Sequence, residues 1–490
     1  MASQHYLACD LGAESGRLMS GALSEDPPLL HLEELHRFPN TPVRSGSSLH
    51  WDYDGLFGQL CLGLEKAASH ARRYAGISTD SWGLDYVLLD ASGRVMPPAF
   101  HYRDPRTRIG MEKVHRRMDP AALYRETGIQ IMPFNTLYQL AAEPPERLAA
   151  ADRLLLIADA FNFRLSGVAR AEVSLASTTQ LYNPVAHAWS AHLMEALDLP
   201  KRLLPPVVPS GTPLGLLKTD LARASGLEAM PVMASCSHDT GAAVAAVPAT
   251  EGHWGYISSG TWSLMGVERH EPVLSEACRR WNFTNEIGFG GTIRLLKNII
   301  GLWLVQECRR HWTSAGHKLD YAALTRLASQ STPFRSLLDP EDCRFVPPDD
   351  MPGRMAAYCR ETGQPEPGDE GAYVRCALES LALLYRRTAR QLGDVTGRPL
   401  DRLHIIGGGS RNELMNQFTA NALGIPVHAG PVEATALGNM LVQALGQGHL
   451  PSLPAARKLV STASEVRVYE PQETAAWDEA AARFEAMCAR

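Results

Sequence analysis

Two familiar phosphate-binding signatures are missing from this chain of 490 residues. No GxxxxGK[ST] occurs, which excludes a Walker P-loop, and no GxGxxG occurs, which excludes the usual dinucleotide fingerprint. Cysteine is scarce and scattered. Its nine residues form no CxxC pair and no Cys/His cluster with zinc spacing, so neither a zinc site nor a disulfide framework is expected. The odd count fits reduced thiols and a cytoplasmic setting. No apolar run approaches the roughly 18 residues of a membrane span. The first residues lack the basic start and long apolar stretch of a secretion signal. Positive charge is not in excess either. A formal net charge of −6 argues against nucleic-acid and anionic-membrane partners, though not against a small anion held locally. Low-complexity tracts and short repeats are absent, which excludes a solenoid.

What remains is a chain with 45% apolar residues, too long for one ordinary core. Strand-like and helix-like segments alternate, which predicts an α/β protein. A boundary falls near residues 243–253, giving an N-terminal domain over 1–245 and a C-terminal domain over 246–490. The proline-rich stretches at 199–215 and 346–353 read as surface loops. Each half opens with the same device, a strand, a turn of small residues and a second strand: "YLACDLGAESGRLMSGAL" at 6–23 and "WGYISSGTWSLMGV" at 254–267. The expectation is a duplicated domain facing itself across a cleft.

Small turns of this kind suit phosphate. Converging backbone N–H groups reach an anion only where side chains leave the approach clear. "GAESGR" (12–17) and "SSGT" (258–261) meet that requirement, and Ser15, Ser259 and Thr261 offer hydroxyls. Each turn alone is equally an ordinary hairpin. Asp10, at the end of the first strand, is where Mg²⁺ can be held directly or through water. A third segment, "RLHIIGGGSRNELMNQFTANALG" (402–424), reads as a buried strand, a glycine turn and a helix; locally the turn reads first as tight strand-to-helix packing, and alternatively as a surface for an adenine ring. Ser410 and Glu413 have capping-box spacing there. "SHDTGAAV" (237–244) puts Asp239 at the start of an Ala/Gly helix, either as a cap or as a general base for an attacking hydroxyl. His238 beside it suits either a sugar hydroxyl or a structural bond. "GISTDSWGLDYVLLD" (76–90) adds Asp80, Asp85 and Asp90, with Trp82 and Gly83 between them. Asp90 with "ASGR" reads as a hairpin turn. "LKNIIGLWLVQE" (296–307) reads as an apolar helix carrying Asn298 and Gln306. "QETAAWDEAAARFEAMCAR" (472–490) reads as an amphipathic helix that either docks on the body, the favoured reading, or serves a partner.

The order of these segments resembles the sugar kinases of the FGGY family, within the actin-like ATPase superfamily. The resemblance covers nearly the whole chain. It is carried by "HRFPN", "LHWDYDGL", "DSWGLDYVLLD", "YRDPRT", "GIQIMPFNTLYQL", "SHDTGAAV", "SSGTWSLMG", "LKNIIGLWLVQ", "HIIGGGSRN" and "GPVEATALGN". It implies two actin-like, ribonuclease H-like ATPase domains and an ATP- and Mg²⁺-dependent carbohydrate kinase. Within the family the motifs are most similar to those of kinases that phosphorylate L-rhamnulose at its 1-hydroxyl. L-Fuculose, L-xylulose or a related polyol are the alternative acceptors, and a non-catalytic ATP switch is the alternative role. Carried over by position, Ala13, Glu14, Ser15, Gly16, Arg17, Thr261, Gln306 and Gly408 are implied to contact ATP. Gly83, His238, Asp239, Thr240 and Asn298 are implied to contact the ketose, Asp239 as proton acceptor, and Asp10 to lie near the metal. Glu14 departs from the pattern, in which a serine stands at that turn position. A carboxylate beside a triphosphate repels it unless it points outward or meets Mg²⁺.

Overall fold

The opening apolar segment becomes a strand, β1 (Gln4–Leu11), buried on both faces, with Tyr6, Leu7, Ala8, Cys9 and Leu11 fully shielded from solvent. A continuous apolar run of this kind belongs to a sheet covered by helices on each side. This is a computed structural model, and it describes residues 3–25, 28–70 and 73–489. The chain divides into two compact units. One comprises Met1–Thr250, Glu268–Leu295 and Ala434–Ser464. The other comprises Glu251–Val267, Leu296–Glu433 and Glu465–Arg490.

In the first unit β1 is joined by β2 (Ser15–Glu25), β3 (Pro28–Pro39), β4 (Tyr74–Ser81), β5 (Thr212–Leu216) and β6 (Pro231–Ala234), in the order β5-β6-β4-β1-β2-β3. β1 pairs antiparallel with β2 and parallel with β4, and β4 pairs parallel with β6. The alternation of strand side chains then sorts β1. Leu7, Cys9 and Leu11 join the core beneath helix Tyr53–Ser69, with Leu56, Phe57, Leu60 and Leu64. Tyr6, Ala8 and Asp10 face the other way. On that side lies helix Ala434–Gly446, whose Gln443 Nε2 donates to the Leu7 carbonyl at 2.9 Å. That helix also packs on helix Asp239–Ala245 so closely that a Cβ on Gly438 would overlap the Ala242 carbonyl.

The second unit's sheet is built the same way. Its strands are β7 (Trp254–Ser259), β8 (Trp262–Arg269), β9 (Ile293–Ile300), β10 (Arg402–Ile406), β11 (Val427–Ala429) and β12 (Arg467–Tyr469). They run in the order β9-β8-β7-β10-β11-β12, and the strand Thr284–Ile287 is the seventh, at the edge beside β9. β7 pairs antiparallel with β8 and parallel with β10, as β1 does with β2 and β4. The terminal helix Thr474–Cys488 buries Trp477, Ala480, Ala481 and Phe484, so the amphipathic stretch docks as expected.

Three local expectations need correction. Residues 296–307 are not one helix. β9 runs to Ile300, Gly301 breaks the segment, and a helix spans Trp303–Ser314. The β-branched pair Ile299-Ile300 favours the strand. Gly301 is forced, because a Cβ there would lie 2.6 Å from Ser263 Oγ. The capping residue after the triple glycine is Asn412, whose side chain accepts from Met415 N, and not Ser410. Ser410 lies in a 3-10 turn and donates to the Gly407 carbonyl at 2.7 Å. The stretch 199–215 is not all loop, since a short strand at Val207–Val208 and the start of β5 lie within it.

Candidate active site

The hairpin turn after β1 is tied from below. Gly12 N donates to Ser15 O at 2.9 Å, while Asn40 gives its N to Glu14 O at 3.0 Å and its Nδ2 to Gly12 O at 2.9 Å. With the carbonyls of Gly12, Glu14 and Ser15 drawn to these donors, their lone pairs no longer oppose an anion approaching the turn. Glu14 is exposed, the outward placement its charge requires beside a phosphate. Ala13 and Ser15 are half-buried. Gly16 is glycine for a packing reason, since a Cβ would overlap the Phe38 ring. Asn40 escapes sequence reasoning. "HRFPN" is visible as a motif, but nothing local says that its last residue braces a turn 28 positions earlier.

Pairing of β1 with β4 sets Asp10 beside Asp80, and pairing with β2 sets it beside Arg17. Arg17 Nη2 contacts Asp10 Oδ2 at 2.5 Å. Asp80 is fully buried. Its Oδ2 accepts from Asn439 Nδ2 at 2.5 Å, and its buried Oδ1 has no hydrogen-bond partner among the described residues. Desolvation, then the Asp10 charge, holds the Asp80 carboxyl well above the ordinary range against the pull of Asn439. Asn439 is thus a site residue that sequence order hides, contributed from the far end of the chain by "GPVEATALGN".

The loop between β6 and helix Asp239–Ala245 brings the next carboxylate. A parallel bridge between Ser81 and His238 aligns this loop with the end of β4, and Ser81 N donates to Ser237 O at 2.9 Å. Glu172, wholly buried, anchors the loop from beneath. Its Oε2 accepts from Ser237 N at 3.1 Å, Ser174 N at 2.9 Å and Ser174 Oγ at 2.5 Å, and its Oε1 from Ser210 Oγ at 2.5 Å. Ser174 Oγ in turn accepts from His238 N at 3.0 Å. His238 is the N-cap residue of that helix but makes no side-chain cap bond, and Asp239 is the first helical residue.

Asp239 keeps a 30% exposed side chain, whereas its neighbour Thr240 is buried. Its Oδ1 accepts from Thr240 N at 2.5 Å and Thr240 Oγ1 at 3.1 Å. Desolvation raises the Asp239 carboxyl above the ordinary range, Asp10 adds to the rise, and His238 and Thr240 oppose it. Charge-charge coupling therefore joins Asp10, Asp80 and Asp239 in one acidic group. Gly83 lies beside the loop, since a Cβ there would sit 3.4 Å from His238 Nε2. Behind Gly83, Asp85 accepts from Trp51 Nε1 at 2.6 Å, Trp82 Nε1 at 3.1 Å, Tyr102 N at 3.1 Å and Gln139 Nε2 at 2.8 Å. Trp82 is thereby committed to a buried polar node and to a tilted ring contact with Trp51, with ring centroids 4.5 Å apart.

In the second unit the Gly260-Thr261 turn receives the start of helix Trp303–Ser314. Leu302 N donates to Gly260 O at 3.1 Å, and Gly301 N and Trp303 N donate to Thr261 O at 3.1 and 3.2 Å. Gln306 sits one turn into that helix, and its buried Oε1 has no hydrogen-bond partner among the described residues. Asn298 is half-buried on β9. The triple glycine divides its tasks. Gly407 has φ of 83°, and Gly409 has no room for a Cβ against Ser259 Oγ. A Cβ on Gly408 would meet nothing within 4 Å, which is open space of the kind a flat ring requires.

Comparison with known proteins follows the same lines. Family models for the FGGY family of carbohydrate kinases match residues 5–246 (N-terminal domain) and 255–446 (C-terminal domain). The chain is 43% identical over 484 residues to a rhamnulokinase of Bacteroides thetaiotaomicron, covering 98% of this chain and 99% of that one. It is 37% identical over 468 residues to a rhamnulokinase of Bacillus subtilis, covering 96% of each. Among solved structures, a xylulose kinase from Rhodospirillum rubrum superposes with a TM-score of 0.80 at 18% identity, over 99% of this chain and 98% of that one. A Plasmodium falciparum glycerol kinase with ADP gives 0.78 at 14% identity, over 98% of each. At such identities those two structures speak to the fold, which is the two-domain α/β fold expected from the motifs. Matched by both domain models and by relatives along almost its full length, the chain belongs to the FGGY family of carbohydrate kinases.

Proposed function

We propose that this protein transfers the γ-phosphoryl group of ATP to the 1-hydroxyl of L-rhamnulose, with Asp239 as general base. The observation that carries the substrate is the similarity to rhamnulokinases over nearly every residue. Support for the base is physical. Asp239 is a partly exposed carboxylate at the start of a helix whose preceding loop is braced by Glu172, and its pKa is shifted upward, toward the working pH at which proton acceptance is most effective. On this reading Gly83, His238, Thr240 and Asn298 meet the ketose. The backbone of Ala13, Glu14, Ser15 and Gly16, with Arg17 and Thr261, meets the phosphates. Gln306 and Gly408 meet the rest of the nucleotide.

Mg²⁺ belongs to the same proposal. Among the described residues no group of three or more His, Cys, Asp or Glu side chains is arranged to hold a metal. That donor set fits an ion which retains its waters and phosphate oxygens, with Asp10 as its carboxylate, rather than an all-protein cage. When bound, such an ion neutralises phosphate charge. No helix among the described residues is long and apolar enough to cross a membrane, and we place the reaction in the cytoplasm.

ADP release on a panel of ketoses tests the reading. L-Rhamnulose is expected to give the highest kcat/KM. Higher activity on L-xylulose or L-fuculose would overturn the substrate, and ATP turnover that no sugar accelerates would favour the non-catalytic switch.

A further inference from the structure

Both hydrogen bonds that the Asp239 carboxylate accepts end on Oδ1, from Thr240 N at 2.5 Å and Thr240 Oγ1 at 3.1 Å. His238 faces the same oxygen, with Nε2 3.5 Å from Oδ1. That is longer than a good hydrogen bond, as catalytic contacts often are before substrate binds. At the ring's other end, Nδ1 meets Arg294 Nη2 at 3.1 Å. Arg294 is wholly shielded from solvent, and its Nε and Nη2 donate to the Ile287 carbonyl at 3.3 and 3.2 Å. Gly241 lets the guanidinium lie against helix Asp239–Ala245, since a Cβ there would sit 3.5 Å from its central carbon. Glu286 Oε2 lies 3.2 Å from both Arg294 Nη2 and His238 Nδ1. Glu286 Oε2 and Arg294 Nη1 are nevertheless buried with no hydrogen-bond partner among the described residues. Glu286 therefore supplies a counter-charge to Arg294 rather than a bond to the ring.

The direction of the Arg294–His238 bond places a proton. A guanidinium only donates, so Nδ1 is the acceptor, and a neutral imidazole then carries its one N–H on Nε2. A proton on Nδ1 would instead set two N–H groups against each other at 3.1 Å. An Nε2–H facing Asp239 makes a third donor on Oδ1. Donors to the charged form lower an oxygen's appetite for a proton, so the two carboxylate oxygens are not equivalent. We propose that Arg294 holds His238 as the Nε2–H tautomer, so that His238 and Thr240 occupy Oδ1 of Asp239 and leave Oδ2 as the oxygen that takes the ketose proton. As the 1-hydroxyl oxygen bonds to the γ-phosphorus and the phosphorus–oxygen bond to ADP breaks, the hydroxyl O–H bond breaks and its proton ends on Oδ2. Nε2 also borders Gly83, where a Cβ would sit 3.4 Å away, so the same edge of His238 can meet the ketose and Asp239 together. Arg294 is then a positioning residue that acts through His238. The inference rests on the reading of Asp239 as general base.

Two-bond ¹H–¹⁵N spectra at pH 8.5 of the full chain labelled on histidine read the proton. The His238 signals are identified among the 17 histidines by their loss in His238→Gln. A neutral ring protonated on Nε2 is expected, and an Nδ1–H tautomer or an imidazolium would overturn the proposal. A crystal structure with ketose and ADP should show the 1-hydroxyl within hydrogen-bonding distance of Oδ2. A hydroxyl seated on Oδ1 would refute the choice of oxygen. The double variant Glu286→Leu/Arg294→Met leaves no unpaired buried charge. It should mix the two His238 tautomers and lower kcat about tenfold, with the ATP KM within about twofold. Built on Asp239→Asn, it should change kcat by no more than about twofold, since no base is left to position. An equal loss in both backgrounds would rule out a role through Asp239. Should the double variant not fold, the parent spectrum and the complex still decide. Turnover that survives Asp239→Asn would sink the general-base reading separately, because the tautomer is read without substrate.

Discussion

Replacing Asp239 by asparagine separates its chemical role from its structural one. The amide keeps an oxygen to accept from Thr240 N and Thr240 Oγ1, the two bonds that Oδ1 now accepts. Nothing is removed from a core, because the side chain is partly exposed. What goes is the proton acceptor. Positioned general bases are typically worth about 10²–10⁴ in rate, or about 3–5 kcal/mol of barrier. Turnover at saturating ATP and ketose should fall by that factor, with the ATP KM little changed. Stability should move the other way. The folded-state pKa of Asp239 lies above its ordinary value. Its contribution to stability is therefore full below the ordinary value and is lost as pH rises through the raised one. An amide has no charge to desolvate or to set against Asp10. The variant should consequently melt no lower than the parent at pH 8, and its advantage should shrink toward pH 4. Coupled ADP release and calorimetry at both pH values read the two effects. Turnover within about tenfold of the parent would remove Asp239 from the mechanism. Lost turnover with a lower melting temperature at pH 8 would mean that the loop had collapsed and that the base was never tested.

Four further outcomes are expected. Glu172→Ala strands the donors of Ser174 and Ser237, at about 1–3 kcal/mol for a buried unsatisfied group, and should lower both urea resistance and turnover. Glu172→Gln should retain most of each, because Ser210 can turn its hydroxyl to accept. Asp85 titrates at about 6, raised by desolvation against four hydrogen bonds. Its stabilising contribution is therefore full below about 4 and is lost as pH rises through about 6. Tryptophan fluorescence should show a step near that pH from Trp51 and Trp82, absent in Asp85→Asn. Gly409→Ala should destabilise the turn through its overlap with Ser259 and be rescued by Ser259→Gly. Gly408→Ala should leave melting unchanged while raising the ATP KM, and an unchanged KM would detach Gly408 from the nucleotide.

Much of the fold was legible because it is written in local patterns. Doubly buried strands read as apolar runs, and turns of small residues read as hairpins at 12–15 and 260–261. The misread segment at 296–307 shows the limit. A strand followed by a helix and a single apolar helix look alike until the close approach of Ser263 shows why Gly301 must interrupt. Ser410 was the wrong cap for a similar reason, since the 3-10 turn that displaces it is set by Gly409 packing on Ser259.

By itself the sequence determined which residues are candidates for the chemistry. Asp10, His238, Asp239, Thr261 and Gly408 stand out because strand ends, bare turns and helix starts leave periodic signatures within a few positions. Only the tertiary structure decided what acts on them. Asn439 against Asp80, Glu172 under Ser237, and Glu286 with Arg294 behind His238 join residues between 48 and 359 positions apart. Desolvation and hydrogen-bond direction depend on which groups are near in space, and separation along the chain carries no record of that.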